Sequence, residues 1–440
     1  MKKYRWLVLV VLWLLYIINY FDRTSVLTFL PLIREDLKLT HQQIGTAASI
    51  FFFAYALAQI LAGFLADKYG PKKVMGAAIG VFTLVTFVTG LVKNYTQFFL
   101  VRLGLGIGEG HHFAPANKTI ANWFPVQEKG RATGFFSTTW AVAPAIIPIV
   151  VTTLAAALGG WRPVFFLLAI PGVIGIFILQ YFIEDTPEKS LAKGRITQEE
   201  YDAIKAGLVE VKGASESKKM SLGTTLSILL TDFSFWIYSI ALFCILGIYW
   251  GSTSWLSSFL YEQYKFSIKS MGILASLPYI AAFFAMITGG WAMDKIFRGR
   301  VKPVLAISFL LSIPVLLMIA KVPKGENGLL VLMLVLVGFF VNLSFGVVYG
   351  YPQIRYPKEV VGSAVGFSNG FGQFGSFIAP LVAGFLVVKT AEGIFYTKVF
   401  AFFSILAAIG FVFTLFLSEK TYDYSNKIKD AGYDQEAVKI

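Results

Sequence analysis

Four ionisable residues stand inside apolar runs long enough to cross a bilayer: Asp22 and Arg23 in the first run, Arg102 and Glu109 in the fourth. A charge at membrane depth is costly even on lenient insertion scales, which makes such residues functional candidates by default. Two arginines suit a carboxylate, because a guanidinium grips it bidentately and stays protonated throughout. A carboxylate held away from water exchanges its charge for a proton more readily, which suits Asp22 and Glu109 to carrying protons. The same four residues could instead form buried ion pairs that hold two spans together. A pair that opens on protonation would do both.

Helical geometry says which of them share a face. Arg102 and Glu109 are seven residues apart, two turns and about 10.5 Å along one stripe. Asp22 and Arg23 are adjacent, point about 100° apart and must look to other helices for partners. His112, three residues after Glu109, is placed to touch the glutamate and tune proton transfer, whereas His111 lies roughly opposite the stripe. In the second half the spans carry almost no charge. Their polar groups are neutral (Tyr279, Asn342, Ser344, Tyr349, Ser368, Asn369, Gln373), so coupling belongs to the first half, and the second contributes hydrogen bonds and shape.

The elements that position these residues follow from composition and periodicity. The chain has 440 residues, of which 56% are hydrophobic and 14% charged, and its mean hydropathy is +0.69, too apolar for a soluble domain of that length. At roughly 20 apolar residues per crossing, twelve runs appear, near 6–30, 44–66, 74–92, 96–121, 131–158, 162–183, 232–260, 268–292, 303–320, 328–351, 361–388 and 395–417. The expected organisation is a six-helix bundle over 1–183, a polar linker over 184–230, a second six-helix bundle over 231–420 and a loose tail over 421–440. The halves look duplicated: Gly63 is followed four residues later by Asp67 with Lys68, Lys72 and Lys73 nearby, and Gly290 by Asp294 with Lys295 and Arg298. In the linker, Thr197 and Glu200 have the spacing of a capping box.

The net charge of +13 is spread over short loops rather than gathered on one face, which argues for topology and against a nucleic-acid partner. Fifteen Lys and Arg lie in loops on the N-terminal side, linker and tail apart, against ten opposite, which puts both termini in the cytoplasm. Lys2, Lys3 and Arg5 lead straight into a run with no cleavage site, which reads as a retained span and not a leader. The single cysteine, Cys244, excludes internal disulfides, and no Cys/His cluster has metal-ligand spacing. The literal GxGxxG of Gly370 to Gly375 sits inside an apolar span with no strand before it and reads as close helix packing, as do Gly104 to Gly110. Asn94-Tyr95-Thr96 is a glycosylation sequon on the outer side.

The loop from Gly63 to Val74 is similar to the signature of the major facilitator superfamily after its second span. The stretch Arg102, Glu109-Gly110, Asn117-Lys118, Trp123-Phe124-Pro125, Glu128-Lys129 and Arg131 resembles the anion:cation symporter family, as do Asp22-Arg23 and Asp185-Thr186-Pro187. That resemblance implies an all-α membrane protein of twelve transmembrane helices in two six-helix bundles, taking organic anions such as sugar acids into the cell with protons. It implies that Arg23 and Arg102 hold the substrate carboxylate, that Asp22 and Glu109 are the protonated pair, that Tyr20 and Tyr55 line the cavity and that Asn369 binds polar groups. Asp67, Lys72 and Asp294 fall on the loops that lock the cytoplasmic gate. Trp140 stands where sugar-acid members often place an amide, and Tyr349 occupies another cavity position.

The expectation is therefore a proton-coupled symporter importing an organic anion by alternating access, a monomer in the inner membrane with no cofactor and no resident metal. Antiport of an organic anion or phosphate ester is the nearest competing reading, but phosphate-ester exchangers resemble a clamp with one arginine from each half, and here both lie in the first. A non-transporting sensor is a reading of another class. An enzyme is disfavoured because no nucleophile-base or metal constellation stands out.

Overall fold

The structure is a computed structural model and describes residues 4–213, 222–356 and 358–422. The expected tail falls almost wholly outside the described residues, as do Lys2, Lys3 and the linker's Lys218 and Lys219. The chain separates into two compact units, one comprising Met1–Glu216 with Phe266–Ser276, the other Ser217–Lys265 with Leu277–Ile440.

The first unit contains α1 (Tyr4–Asp36), α2 (His41–Tyr69), α3 (Pro71–Thr89), α4 (Tyr95–Gly110), α5 (Phe113–Trp123), α6 (Val126–Ser137), α7 (Thr139–Leu158), α8 (Trp161–Phe182), α9 (Pro187–Ala192) and α10 (Gln198–Gly213). The second contains α11 (Leu222–Thr231), α12 (Phe233–Ser258), α14 (Lys302–Ile319), α15 (Asn327–Leu343), α16 (Tyr351–Arg355), α17 (Lys358–Leu386) and α18 (Thr397–Leu415), while α13 (Ile268–Trp291) begins in the first unit and continues in the second. Among the described residues, ten helical segments are long and apolar enough to cross a membrane. The run expected at 96–121 is not one helix: α4 stops at Gly110, the chain turns at His111 and His112, and α5 starts afresh. One short feature had no counterpart in the helical reading, a ribbon pairing Val388–Thr390 with Gly393–Phe395.

Local chemistry sets the helix ends. Thr40 and Gln43 form a reciprocal capping box at the start of α2. Asn94 of the sequon caps α4, its side chain accepting from the Gln97 amide at 3.0 Å. The linker's box is completed differently from its sequence pattern. Thr197 accepts from the Glu200 amide at 3.2 Å, but the Glu200 carboxylate reaches across to the amides of Tyr4 and Arg5, at 3.1 and 3.2 Å, and caps α1 instead.

The duplication is visible in the ion pairs. Arg5 forks onto Glu128 in the first unit, with nitrogen-oxygen distances of 2.8 and 2.9 Å. The equivalent positions 227 residues later hold Asp232 and Arg355, paired at 2.5 and 2.6 Å with the charges reversed. The same offset separates Gly63 from Gly290 and Asp67 from Asp294. One geometry has thus been kept while its polarity changed sign.

The start of the linker is docked on the first unit. A single Glu184 oxygen accepts from Lys72, Lys193 and Arg195 at 3.1, 2.7 and 3.2 Å. The Asp185 carboxylate accepts from the Lys72 amide at the head of α3 and from the Lys189 ammonium, both at 2.8 Å. Gly70, at φ +89°, has no Cβ because that carboxylate sits 2.9 Å from where one would be. Burial pushes both carboxyls up, but hydrogen bonds from Lys193 and Lys72 to Glu184, and from Lys189 and Lys72 to Asp185, outweigh it and hold both below their ordinary values. A group whose pKa is lower in the folded state contributes stability that is complete above its unfolded value, about 4, and is lost as pH falls through the folded one. The melting temperature of the purified protein should therefore drop as buffer pH is lowered below about 5, and the double variant Glu184→Gln, Asp185→Asn should show a shallower acid slope in the same thermal series. An unchanged slope would remove this cluster from the protein's acid sensitivity.

Candidate functional site

The four charged residues are brought together inside the first unit by α1 and α4, and none is more than 3% exposed. The Arg23 guanidinium donates from Nε to Glu109 Oε2 at 2.8 Å, and its Nη2 lies 2.8 Å from the same oxygen as an ion-pair contact. Glu109 Oε1 has no hydrogen-bond partner among the described residues, nor has Asp22 Oδ1. Asp22, one residue from the pair, lies within electrostatic reach of Glu109.

Arg102 is placed differently. Its Nε donates to the Ala47 carbonyl at 3.2 Å, while Nη1 and Nη2, fully buried, are unpartnered among the described residues. Two buried donor groups on a permanent cation, with no acceptor among the described residues, are what a bidentate anion requires. Aromatic rings take part of the charge: Phe51 lies 4.5 Å from the Arg102 guanidinium and 4.9 Å from that of Arg23, which also meets Tyr55 at 4.5 Å and Tyr20 at 5.1 Å. Such contacts are worth about 0.5 to 2 kcal/mol each, more when desolvated. Two arginines against two carboxylates are balanced, so protonating one carboxyl leaves a single net positive charge to receive a monovalent anion.

Tyr20 and Tyr55, expected from the family resemblance, thus flank Arg23. His112 does not do what helical spacing suggested. The break after Gly110 takes it off the α4 stripe, and its ring packs edge-on to Tyr16 at 5.5 Å and stacks on Phe82 at 6.0 Å, with both nitrogens buried and unpartnered among the described residues. His111 instead pairs its Nδ1 with the Ile107 carbonyl at 2.7 Å. Trp140 packs on Phe113 at 5.9 Å. In the second unit, the Tyr349 hydroxyl donates to Asn369 Oδ1 at 3.1 Å, so these two expected residues act on each other.

Of the loop residues, Asp67 pairs with Lys118, whose ammonium also donates to the Ala66 carbonyl at 3.0 Å. Lys72 holds the linker, donating to Gln180 and Glu184, and Asp294 is exposed on a single π-helical turn, Ala292–Ile296. Sequence reasoning missed Phe51, which no pattern distinguishes from a core residue, and Asn19, one turn from Asp22, whose amide atoms are both buried and unpartnered among the described residues. A polar amide one turn from a charge in an apolar span was a readable signal for Asn19.

Known proteins resemble this chain over most of its length. A probable sulfoacetate transporter of Cupriavidus necator is 30% identical over 421 residues, covering 94% of each chain. A probable L-galactonate transporter of Escherichia coli is 28% identical over 85% of this chain and 81% of its own, and a hexuronate transporter of Bacillus subtilis 28% identical over 92% and 94%. Among solved structures, a bacterial homologue of the human lysosomal transporter Spinster superposes with a TM-score of 0.76 at 17% identity, over 99% of this chain and 100% of its own. A D-xylose-proton symporter superposes with a TM-score of 0.72 at 12% identity, over 94% and 99%. Both share the fold. These relatives are transporters and not enzymes, and the chain is a multi-pass membrane transporter. The profile of the Major Facilitator Superfamily matches residues 12–380 and 258–433, so the chain belongs to that superfamily and, within it, resembles the anion:cation symporters.

Proposed function

We propose that the protein is a proton-coupled symporter that imports an organic anion by alternating access, with Arg102 and Arg23 as the carboxylate site and Glu109 and Asp22 as the proton site. The observation that carries this reading is Arg102, buried with two unpartnered donors beside a second arginine that is already bound to a carboxylate. Proton uptake by Glu109 weakens its hold on Arg23, and two guanidiniums then face one anion. Deprotonation restores the internal pair and expels it. The names of the relatives, carriers of sulfoacetate, L-galactonate and hexuronate, support a small or sugar-derived organic acid as the cargo.

The same reading puts both termini and the linker in the cytoplasm, the protein in the inner membrane as a monomer, and Asp67, Lys72 and Asp294 at the cytoplasmic gate. Asn369, Tyr349 and Trp140 contribute shape and hydrogen bonds to the solute. The test is uptake of radiolabelled organic acids by proteoliposomes with an acidic exterior. Accumulation above equilibrium that collapses on adding a protonophore is expected, and uptake that ignores the pH gradient would overturn proton coupling.

A further inference from the structure

The duplication sets a neutral cavity in the second unit where the first unit keeps its charges. A Cβ on Gly106 would come within 2.4 Å of the Phe51 carbonyl, and one on Gly338 within 2.2 Å of the Pro278 carbonyl. Phe51 and Pro278 are again 227 residues apart, whereas Gly106 and Gly338 are 232 apart, so the offset is 227 before this crossing and 232 along α4 and α15. In that register Tyr249 takes the place of Asp22, Leu334 that of Arg102 and Val341 that of Glu109. All three line a cavity of about 20 Å³ in the second unit, together with Thr253, Tyr279 and Asn342. That volume holds one water-sized group.

Its hydrogen-bonding capacity can be counted. The Asn342 amide nitrogen donates to the Gly338 carbonyl at 2.8 Å, which fixes the orientation of the amide. Its Oδ1 is buried and unpartnered among the described residues. The Tyr279 hydroxyl gives its hydrogen to Thr253 Oγ1 at 2.9 Å, and Thr253 gives its own to the Tyr249 carbonyl at 2.7 Å. The hydroxyl hydrogens of Tyr279 and Thr253 are thus committed, and the group left wholly unmet among the described residues is the Asn342 Oδ1 acceptor, the amide keeping one further N–H. A carboxylate, which only accepts, cannot satisfy that oxygen, whereas an alcohol O–H can. In the first unit the unmet donors belong to a cation, Arg102, and stand beside the unmet carboxylate oxygens of Glu109 and Asp22 among the described residues.

We propose that this cavity is a hydroxyl-recognition site, in which an alcohol of a polyhydroxylated solute donates to Asn342 Oδ1 with Tyr279 Oη as second acceptor, and that it selects hydroxy acids over plain ones. The inference deepens the organic-anion reading and rests on it. A site built to accept from a hydroxyl discriminates strongly, because the analogue that lacks the group leaves a buried acceptor unmet.

Isothermal titration of the purified full-length protein with gluconate, hexanoate and sorbitol tests it. Gluconate should bind at least about tenfold more tightly than hexanoate, and Asn342→Leu should remove that preference while leaving hexanoate affinity unchanged. Tyr279→Phe, which keeps the ring, should weaken gluconate selectively as well and serves if the leucine variant does not fold. Equal weakening of both acids, unchanged gluconate affinity in both variants, or a wild type that binds neither gluconate nor sorbitol would overturn the inference and leave the cavity to a bound water. If Arg102→Met leaves hexanoate binding intact, the organic-anion reading fails instead, and loss of sorbitol binding in the Asn342 variant would still uphold the hydroxyl site.

Discussion

Proteoliposomes carrying Glu109→Gln are expected to exchange labelled for unlabelled substrate at a rate near that of the wild type, yet to accumulate none against a gradient. Glutamine keeps an oxygen for Arg23 Nε, now 2.8 Å from the glutamate, and so resembles the protonated carboxyl while being unable to lose the proton. The carrier would be held in its protonated form, competent for binding and reorientation but blind to pH. For one proton per monovalent anion, a gradient of two pH units can drive accumulation of about 100-fold, since each tenfold is about 1.4 kcal/mol. The variant should fall to equilibration. Persistence of accumulation would move the coupling role to Asp22, whose Oδ1 is buried and unpartnered among the described residues, and Asp22→Asn would then be the variant to abolish it. Loss of exchange together with accumulation would mean that Glu109 mainly holds α1 to α4, because leaving a buried charge without its partner costs about 3 to 5 kcal/mol.

How much of this was legible beforehand depends on whether a residue's role is set by its own chemistry or by its neighbours. Asp22, Arg23, Arg102 and Glu109 could be read directly, because a charge in an apolar run admits few explanations, and their burial in one unit agrees with that reading. The pairing could not. That Arg23 takes Glu109 while Arg102 is left with two free donors depends on how α1, α2 and α4 pack, and on the Ala47 carbonyl that occupies Arg102 Nε. His112 was misread because periodicity assumes an unbroken helix, and α4 ends two residues before it. Phe51 carried no signal, since a phenylalanine beside two arginines is indistinguishable in sequence from one in the core. The duplication was visible in the Gly63 and Gly290 loops, but the charge-reversed pairs Arg5–Glu128 and Asp232–Arg355 share no residue type at equivalent positions and emerge only when contacts are compared.

Replacing Arg102 with methionine should abolish substrate binding without lowering the stability of the unliganded protein. Its two unpartnered Nη donors are a standing cost, because a buried polar group without an acceptor forfeits about 1 to 3 kcal/mol, and a charged one more. Methionine fills much of the same volume against Phe51 and removes that cost, giving up one bond to the Ala47 carbonyl. In the ligand-bound protein the same donors become two hydrogen bonds to a charged group, worth about 1.5 to 3 kcal/mol each. Their loss predicts affinity reduced by at least about 100-fold. Lysine should not rescue it, since an ammonium cannot present the planar fork. Thermal unfolding with and without ligand separates the two effects: the variant's melting temperature alone should match or exceed that of the wild type, and the ligand-induced rise should vanish. A variant that melts lower and still responds to ligand would make Arg102 a structural cation and shift the anion site elsewhere. The asymmetry between the unliganded and liganded states is what a binding residue shows and a packing residue does not, because its hydrogen bonds are completed only by the solute.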